Sequence, residues 1–348
     1  MDLLTHGLAS FAVARGFFPR AGKLVLVGTV LAGCLGNLDE LSTYFGAPAA
    51  LAWQGTYLQS LVAALGIALV VFVVAVGTSL GGFSSGRSNN QPIENPRARI
   101  SALIVAPLFA AFLHVAMSVC QSNGVMLFWP FNAKRFAMDW LPSLDPWILT
   151  ILILAIAVPE LLYLVSSEIG AKSKKPRGRT GALIGLALVA VYIGARATLH
   201  SNAVALMESR TFHGEPARRA LAFPEALSLI TWHGIAETES ALDQIDVNLA
   251  ATASFDPDTS VRLFKPEPSA TLDAARNTRV AKRFLAATQM PRANVEKTDV
   301  GFVVILRDLR YAALGDTRHE IVALIELDPA NHVTSAEVMW ARELRRLF

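Results

Sequence analysis

Cysteine is nearly absent from this chain, charge is sparse, and neither sign of charge dominates. Only Cys34 and Cys120 occur in 348 residues. They have no C-x-x-C spacing, which argues against a disulfide framework and a thiolate zinc site. Two separate thiols are the favoured reading, with a bridge between them as the alternative. Asp, Glu, Lys and Arg make up 17% of the chain, against about 25% in ordinary soluble domains. A net charge of +3 is too small to argue for a nucleic-acid partner. No Gly-rich phosphate loop, nucleophile elbow or internal repeat is present. The Met-Asp start carries no basic n-region, so a cleaved signal peptide is not expected.

What remains is apolar. Hydrophobic residues are 53% of the chain and the mean hydropathy is +0.42. The long apolar runs lie within residues 1–200, whereas 205–348 are rich in Arg, Asp and Glu. A spanning helix needs about 20 mostly apolar residues. Segments 56–80, 100–120, 146–166 and 181–199 meet this, and 3–18 and 22–36 are shorter. The fold class is therefore an α-helical membrane domain of about six spans over residues 1–204, followed by a soluble α+β domain over 205–348. In the latter, Phe302 to Leu306, Glu320 to Leu327 and Val333 to Met339 read as strands, with turn signals at Asp328-Pro329 and Asn331. Residues 270–289 have helical spacing.

Lys and Arg in short loops set the expected orientation. Arg15, Arg20 and Lys23 follow the first segment; Arg87, Arg97 and Arg99 lie in the loop 81–99; Lys172, Lys174, Lys175, Arg177 and Arg179 lie in the loop 167–180. The loop 37–55 has no Lys or Arg, and 121–145 has only Lys134 and Arg135. The basic loops are assigned to the cytoplasm. The N-terminus and the C-terminal domain then lie outside, in a multi-pass protein of a bacterial-type inner membrane.

With that orientation, several polar residues gather at the outer face. They are His6, Asn37, Asp39, Trp53-Gln54-Gly55, His114 with Ser118 one turn on, and Asp145-Pro146. Ionisable residues at membrane depth are costly and often functional. Imidazole and carboxylate are the usual ligands of a water-activating zinc or manganese ion. His6, Asp39 and His114 would supply three ligands, the minimum for a catalytic site with an open position. The bland reading of each is an interfacial or solvated group.

The same landmarks carry a resemblance. Met1-Asp2-Leu3-Leu4-Thr5-His6 is similar to a Met-Asp-x-x-Thr-His opening, and Gly36-Asn37-Leu38-Asp39 stands in the place of a Pro-Asp-x-Asp motif. Trp53-Gln54-Gly55-Thr56-Tyr57-Leu58-Gln59-Ser60-Leu61 stands where His-Arg-Gly-x-Thr-His-Ser-Leu is expected. His114 with Ser118, then Gly124, Pro130-Phe131 and Asp145-Pro146 resemble a His-x-x-x-Asp…Gly…Pro-Phe…Asp-Pro stretch. Pro224, Trp232, Gly234 and Asp308-Leu309-Arg310-Tyr311 continue the likeness into the C-terminal domain. Together these residues resemble the predicted membrane-bound metal-dependent hydrolases, the YdjM-type inner-membrane proteins.

That resemblance implies a metal-dependent hydrolase, and the departures from it weaken the implication. Asn37 replaces an Asp, Trp53 a His, Leu58 or Gln59 a second His, and Ser118 an Asp. Trp and Leu offer no lone pair to a metal, and Asn and Ser are weak neutral ligands. Only His6, Asp39 and His114 survive, so a single-metal site is the most that could form. A shifted metal site drawing on His200, His213 or His233 is the alternative, and nothing in their spacing favours it. Two functions follow. One is a hydrolase using zinc or manganese on a lipid or envelope ester or phosphodiester at the outer face. The other is a scaffold that has lost catalysis and kept a binding or assembly role. Membrane lipids are the expected partners in both. A transporter is disfavoured, because the spans show no charge pairs near the midplane and no inverted repeat; Glu160 is the one candidate, and it is expected toward the cytoplasmic interface.

Overall fold

The computed structural model describes residues 2–80, 96–168, 177–313 and 320–344. The expected basic positions Arg87, Lys172, Lys174 and Lys175 lie outside the described residues. The N-terminal part is helical: α1 (Leu3–Phe17), α2 (Gly22–Leu35), a 3-10 helix (Gly36–Phe45), α3 (Ala47–Trp53), α4 (Leu61–Leu80), α5 (Pro96–Val119), α6 (Pro146–Glu168) and α7 (Arg179–Glu208). Five helical stretches among the described residues are long and apolar enough to cross a membrane: Gly22–Phe45, Leu61–Thr78, Ile100–Val119, Pro146–Val165 and Arg179–Glu208. The expected sixth span is not among them. At 15 residues, α1 rises only about 22 Å, short of the roughly 30 Å of hydrocarbon.

The chain divides into two compact units, residues 1–39 with 55–195, and residues 40–54 with 196–348. The first is a helical bundle. Asp2 caps α1 by accepting hydrogen bonds from the Thr5 N–H at 2.9 Å and the Thr5 hydroxyl at 2.6 Å. In lipid, helices associate through close packing of small residues rather than through hydrophobic expulsion. Here a Cβ at Gly33 would collide with the Ser10 side chain, which is how α1 and α2 approach so closely. Charged groups collect at one end of this bundle. Arg15 and Arg177 both pair with Glu160, and Arg179 donates to the Gly16 carbonyl at 3.2 Å. At the other end Asp145 caps α6, accepting from the Trp147 and Ile148 N–H groups at 3.0 Å each. The Tyr192 hydroxyl of α7 donates to the second oxygen of Asp145 at 2.9 Å.

The second unit holds a two-stranded pair, β1 (Thr211–Phe212) and β2 (Glu215–Pro216), and two four-stranded antiparallel sheets. The first sheet is β3 (Arg219–Pro224), β4 (Thr231–Glu237), β5 (Ala241–Asn248) and β6 (Val261–Phe264), in that order. After it come α8 (Ala270–Asn277) and α9 (Arg279–Ala287). The second sheet comprises β7 (Pro291–Thr298), β8 (Gly301–Asp308), β9 (Ile321–Leu327) and β10 (Val333–Trp340), again as neighbours in sequence order. Val304, Leu306, Ala323 and Ile325 pack on one side against Leu272 and Phe284 of α8 and α9. Val303, Ile305, Val322 and Leu324 pack on the other, against Leu344. Alternate residues of a strand face opposite sides, so a sheet covered on both sides is built from unbroken apolar runs. The helix expected over 270–289 is two helices, because the Thr278 hydroxyl accepts from the Ala281 N–H at 3.1 Å and caps a fresh start.

Candidate functional site

The site begins with two glycines that let neighbouring segments approach. Gly36 starts the 3-10 helix, and a Cβ there would run into the His114 ring. His114, late in α5, is 2% exposed and His6, in α1, is 1% exposed. Their rings stack with centroids 4.0 Å apart and planes tilted by 39°. His6 Nε2 finds no hydrogen-bond partner in the protein. The Gly33 backbone is a loose hydrogen-bond partner of the His114 ring. Ser118, one turn beyond His114, is buried and its hydroxyl has no protein partner.

Asp39 lies three residues beyond Gly36, one turn along the 3-10 helix. It is 3% exposed, and protein donors already hold its carboxylate. The Gly55 N–H donates to Oδ2 at 2.8 Å. The Gln59 side-chain amide donates to Oδ2 at 2.9 Å and to Oδ1 at 3.1 Å. Gly55 has φ +64, and a Cβ there would strike the Gly124 carbonyl, so only glycine presents its amide in this way. Of the two residues standing near the expected second histidine, Gln59 is the one whose side chain reaches Asp39.

The structure thus brings His6 and His114 together and turns Asp39 onto Gly55 and Gln59. Among the described residues no group of three or more His, Cys, Asp and Glu side chains is arranged to hold a metal ion. A catalytic zinc site takes three protein ligands. The stacked imidazoles of His6 and His114 do not form such a group of three with Asp39 in this arrangement. Asn37 is buried, and Trp53, at the end of α3, is half exposed. Asp145 caps α6 and accepts from Tyr192. Cys34 and Cys120 are free thiols.

The reserve histidines are engaged locally in the second unit. His200 packs edge-on against Trp232 with centroids 5.4 Å apart. His233 Nδ1 lies 2.6 Å from Asp246, and His213 Nε2 lies 3.1 Å from the Ser260 hydroxyl. The Gly55 amide as a donor to Asp39 leaves no signal in the sequence beyond the glycine itself, because its positive φ shows only in the structure.

No curated protein and no solved structure matches the chain. The model of the YfhP C-terminal alpha/beta plait domain matches residues 270–347, which hold α8, α9 and the second sheet. The model of the YdjM inner membrane protein family matches residues 1–203. With more than half its length covered, the chain belongs to the YdjM inner membrane protein family.

Proposed function

We propose that this protein is a hydrolase-like membrane scaffold that binds a lipid at the outer face of the inner membrane and does not hydrolyse it. The observation that carries this reading is the state of Asp39. Its two oxygens accept N–H groups from Gly55 and Gln59. These donors compensate the buried carboxylate, a task a divalent cation would otherwise perform. Gln59 therefore stands as a neutral substitute for a metal–imidazole pair. On α5, an open apolar groove of about 450 Å³ is lined by Phe112, Val115, Leu127, Met138 and Trp140 among others. A groove of that size and chemistry suits an acyl chain rather than a polar metabolite. In this reading the spans run as expected from the basic residues, and the second unit lies outside the cytoplasm.

The test is metal analysis of the detergent-purified protein beside its His114→Ala variant. The expected result is a wild type free of stoichiometric zinc or manganese. Stoichiometric metal that disappears in the variant overturns the proposal in favour of an active hydrolase. For orientation, a reporter fused to the C-terminus is expected to work only outside the cytoplasm, and cytoplasmic activity overturns that part.

A further inference from the structure

Residues 274–295 include Arg276, Arg279, Lys282, Arg283 and Arg292 and no acidic residue. The first four are exposed on α8 and α9, away from the face that buries Leu272 and Phe284 against the second sheet. Asp273 is the one carboxylate of the two helices. Among the described residues none of these four cations forms an ion pair. Helix stability does not account for their placement on α9. Arg279 and Lys282 fall in a first turn that has no acidic residue, where the helix dipole favours anions. Arg279 and Arg283 stand four residues apart as like charges on one helix face, which weakens a helix.

The other face of the same sheet has the opposite sign. Residues directly across from one another in a sheet share a face, and Val303 and Leu324 face away from α8 and α9. Glu296 and Glu326 lie across from Val303 on its two sides, and Glu337 lies across from Leu324. All three carboxylates therefore share the face away from the helices, and all three are exposed. Glu296 accepts from the Asn294 side-chain amide at 2.6 Å. Glu326 and Glu337 form no ion pair among the described residues. Arg292 and Arg307 stand opposite one another on that face, roughly 13 Å along the strand from Glu296 at 3.3 Å per residue. Arg307 is paired with Glu320 at 3.8 Å.

We propose that these two faces are the two halves of a contact between copies of this chain. The basic face of α8 and α9 on one copy takes the Glu296, Glu326 and Glu337 face of the next. The occupant follows from charge: each face is the complement of the other, whereas a two-fold contact of either face with itself sets like charge against like. A contact between unlike faces leaves one face of each sign free at the ends, so assembly continues beyond a dimer unless a ring closes. Exposed charge pairs are individually weak and are screened by salt, so the assembly is salt-sensitive. The contact uses the second unit alone and is independent of the lipid-binding reading.

The oligomeric state of the full chain in a non-ionic detergent tests this, measured by light scattering after size exclusion. Salt is set at about 50 mM and about 500 mM, on either side of the 0.1 M at which screening acts over about 10 Å. Wild type is expected to assemble at the lower salt and to associate roughly tenfold more weakly at the higher. Arg279→Glu with Arg283→Glu, and separately Glu326→Lys with Glu337→Lys, are each expected to be monomeric. An equimolar mixture of the two is expected to assemble again, since each supplies the face the other has lost, and so is a chain carrying all four reversals. Arg218→Glu reverses an exposed charge beside the first sheet and is expected to leave assembly unchanged. A wild type that is monomeric at low salt overturns the proposal. So do single-face variants that still assemble, a mixture and a fourfold variant that both stay monomeric, or an Arg218→Glu variant that also falls apart.

Discussion

Gln59 donates its side-chain amide to both carboxylate oxygens of Asp39, at 2.9 and 3.1 Å. An amide in this position supplies partial positive charge to a buried carboxylate without being a metal ligand of any strength. Removing it leaves a charged acceptor short of a donor, which typically costs about 1–3 kcal/mol. Gln59→Leu is therefore expected to lower the thermal midpoint of the purified protein. Asp39→Asn combined with Gln59→Leu removes the charge as well and is expected to recover part of the loss. A Gln59→Leu variant as stable as wild type overturns the stabilising role.

Gly36 sits against the His114 ring with no room for a methyl group. Overpacking of this kind usually costs about 1–3 kcal/mol. Gly36→Ala is expected to destabilise the protein in a melting assay, and His114→Ala in the same chain to relieve the strain. Contacting residues give non-additive effects, so the double variant separates a direct clash from general damage. Simple additivity sinks the claim that Gly36 exists to admit the imidazole.

Much of this was legible in the sequence, and the exceptions have physical causes. Long apolar runs announce spans because lipid demands satisfied backbone groups and apolar side chains together. β8 to β10 were legible because unbroken apolar strands bounded by Asp328, Pro329 and Asn331 have few other readings. The sheet β3 to β6 is not legible in this way: Thr231–Glu237 mixes Trp232, His233 and Gly234 with two aliphatic positions and shows no clean alternation. The rings of His6 and His114 stack, two residues that the sequence places near one end of their helices. The diversion of Asp39 is not legible, because it depends on the backbone of Gly55 and the reach of one amide, neither of which leaves a pattern in residue types.

Asp145 holds the first turn of α6 and a hydroxyl of α7 at once. Replacing an N-cap by alanine costs about 1 kcal/mol, up to roughly 2. Asp145→Ala is expected to reach the upper part of that range, since the Tyr192 hydroxyl loses its acceptor too. Tyr192→Phe keeps the cap and is expected to cost less. Thermal midpoints of the two variants in one detergent decide the order; the reverse order overturns the capping account.

Glu215 gives the second unit an acid-sensitive contact. Its carboxylate accepts the Ser240 hydroxyl at 2.7 Å and the Ser240 N–H at 3.1 Å, and Arg262 pairs with it. These hydrogen bonds, led by the Ser240 hydroxyl, pull its pKa from an ordinary 4.5 down to about 2. A carboxyl depressed on folding binds its proton more weakly in the native state than in the unfolded one. Its contribution is therefore complete above 4.5 and is lost as the pH falls toward 2. Glu215→Gln removes the titration, so the variant is expected to be less stable than wild type at neutral pH. The gap should narrow between pH 4.5 and pH 2, the interval bounded by the two pKa values. Melting curves across that interval check it, and a gap that stays constant with pH shows that the Glu215 charge is not what Ser240 and Arg262 hold.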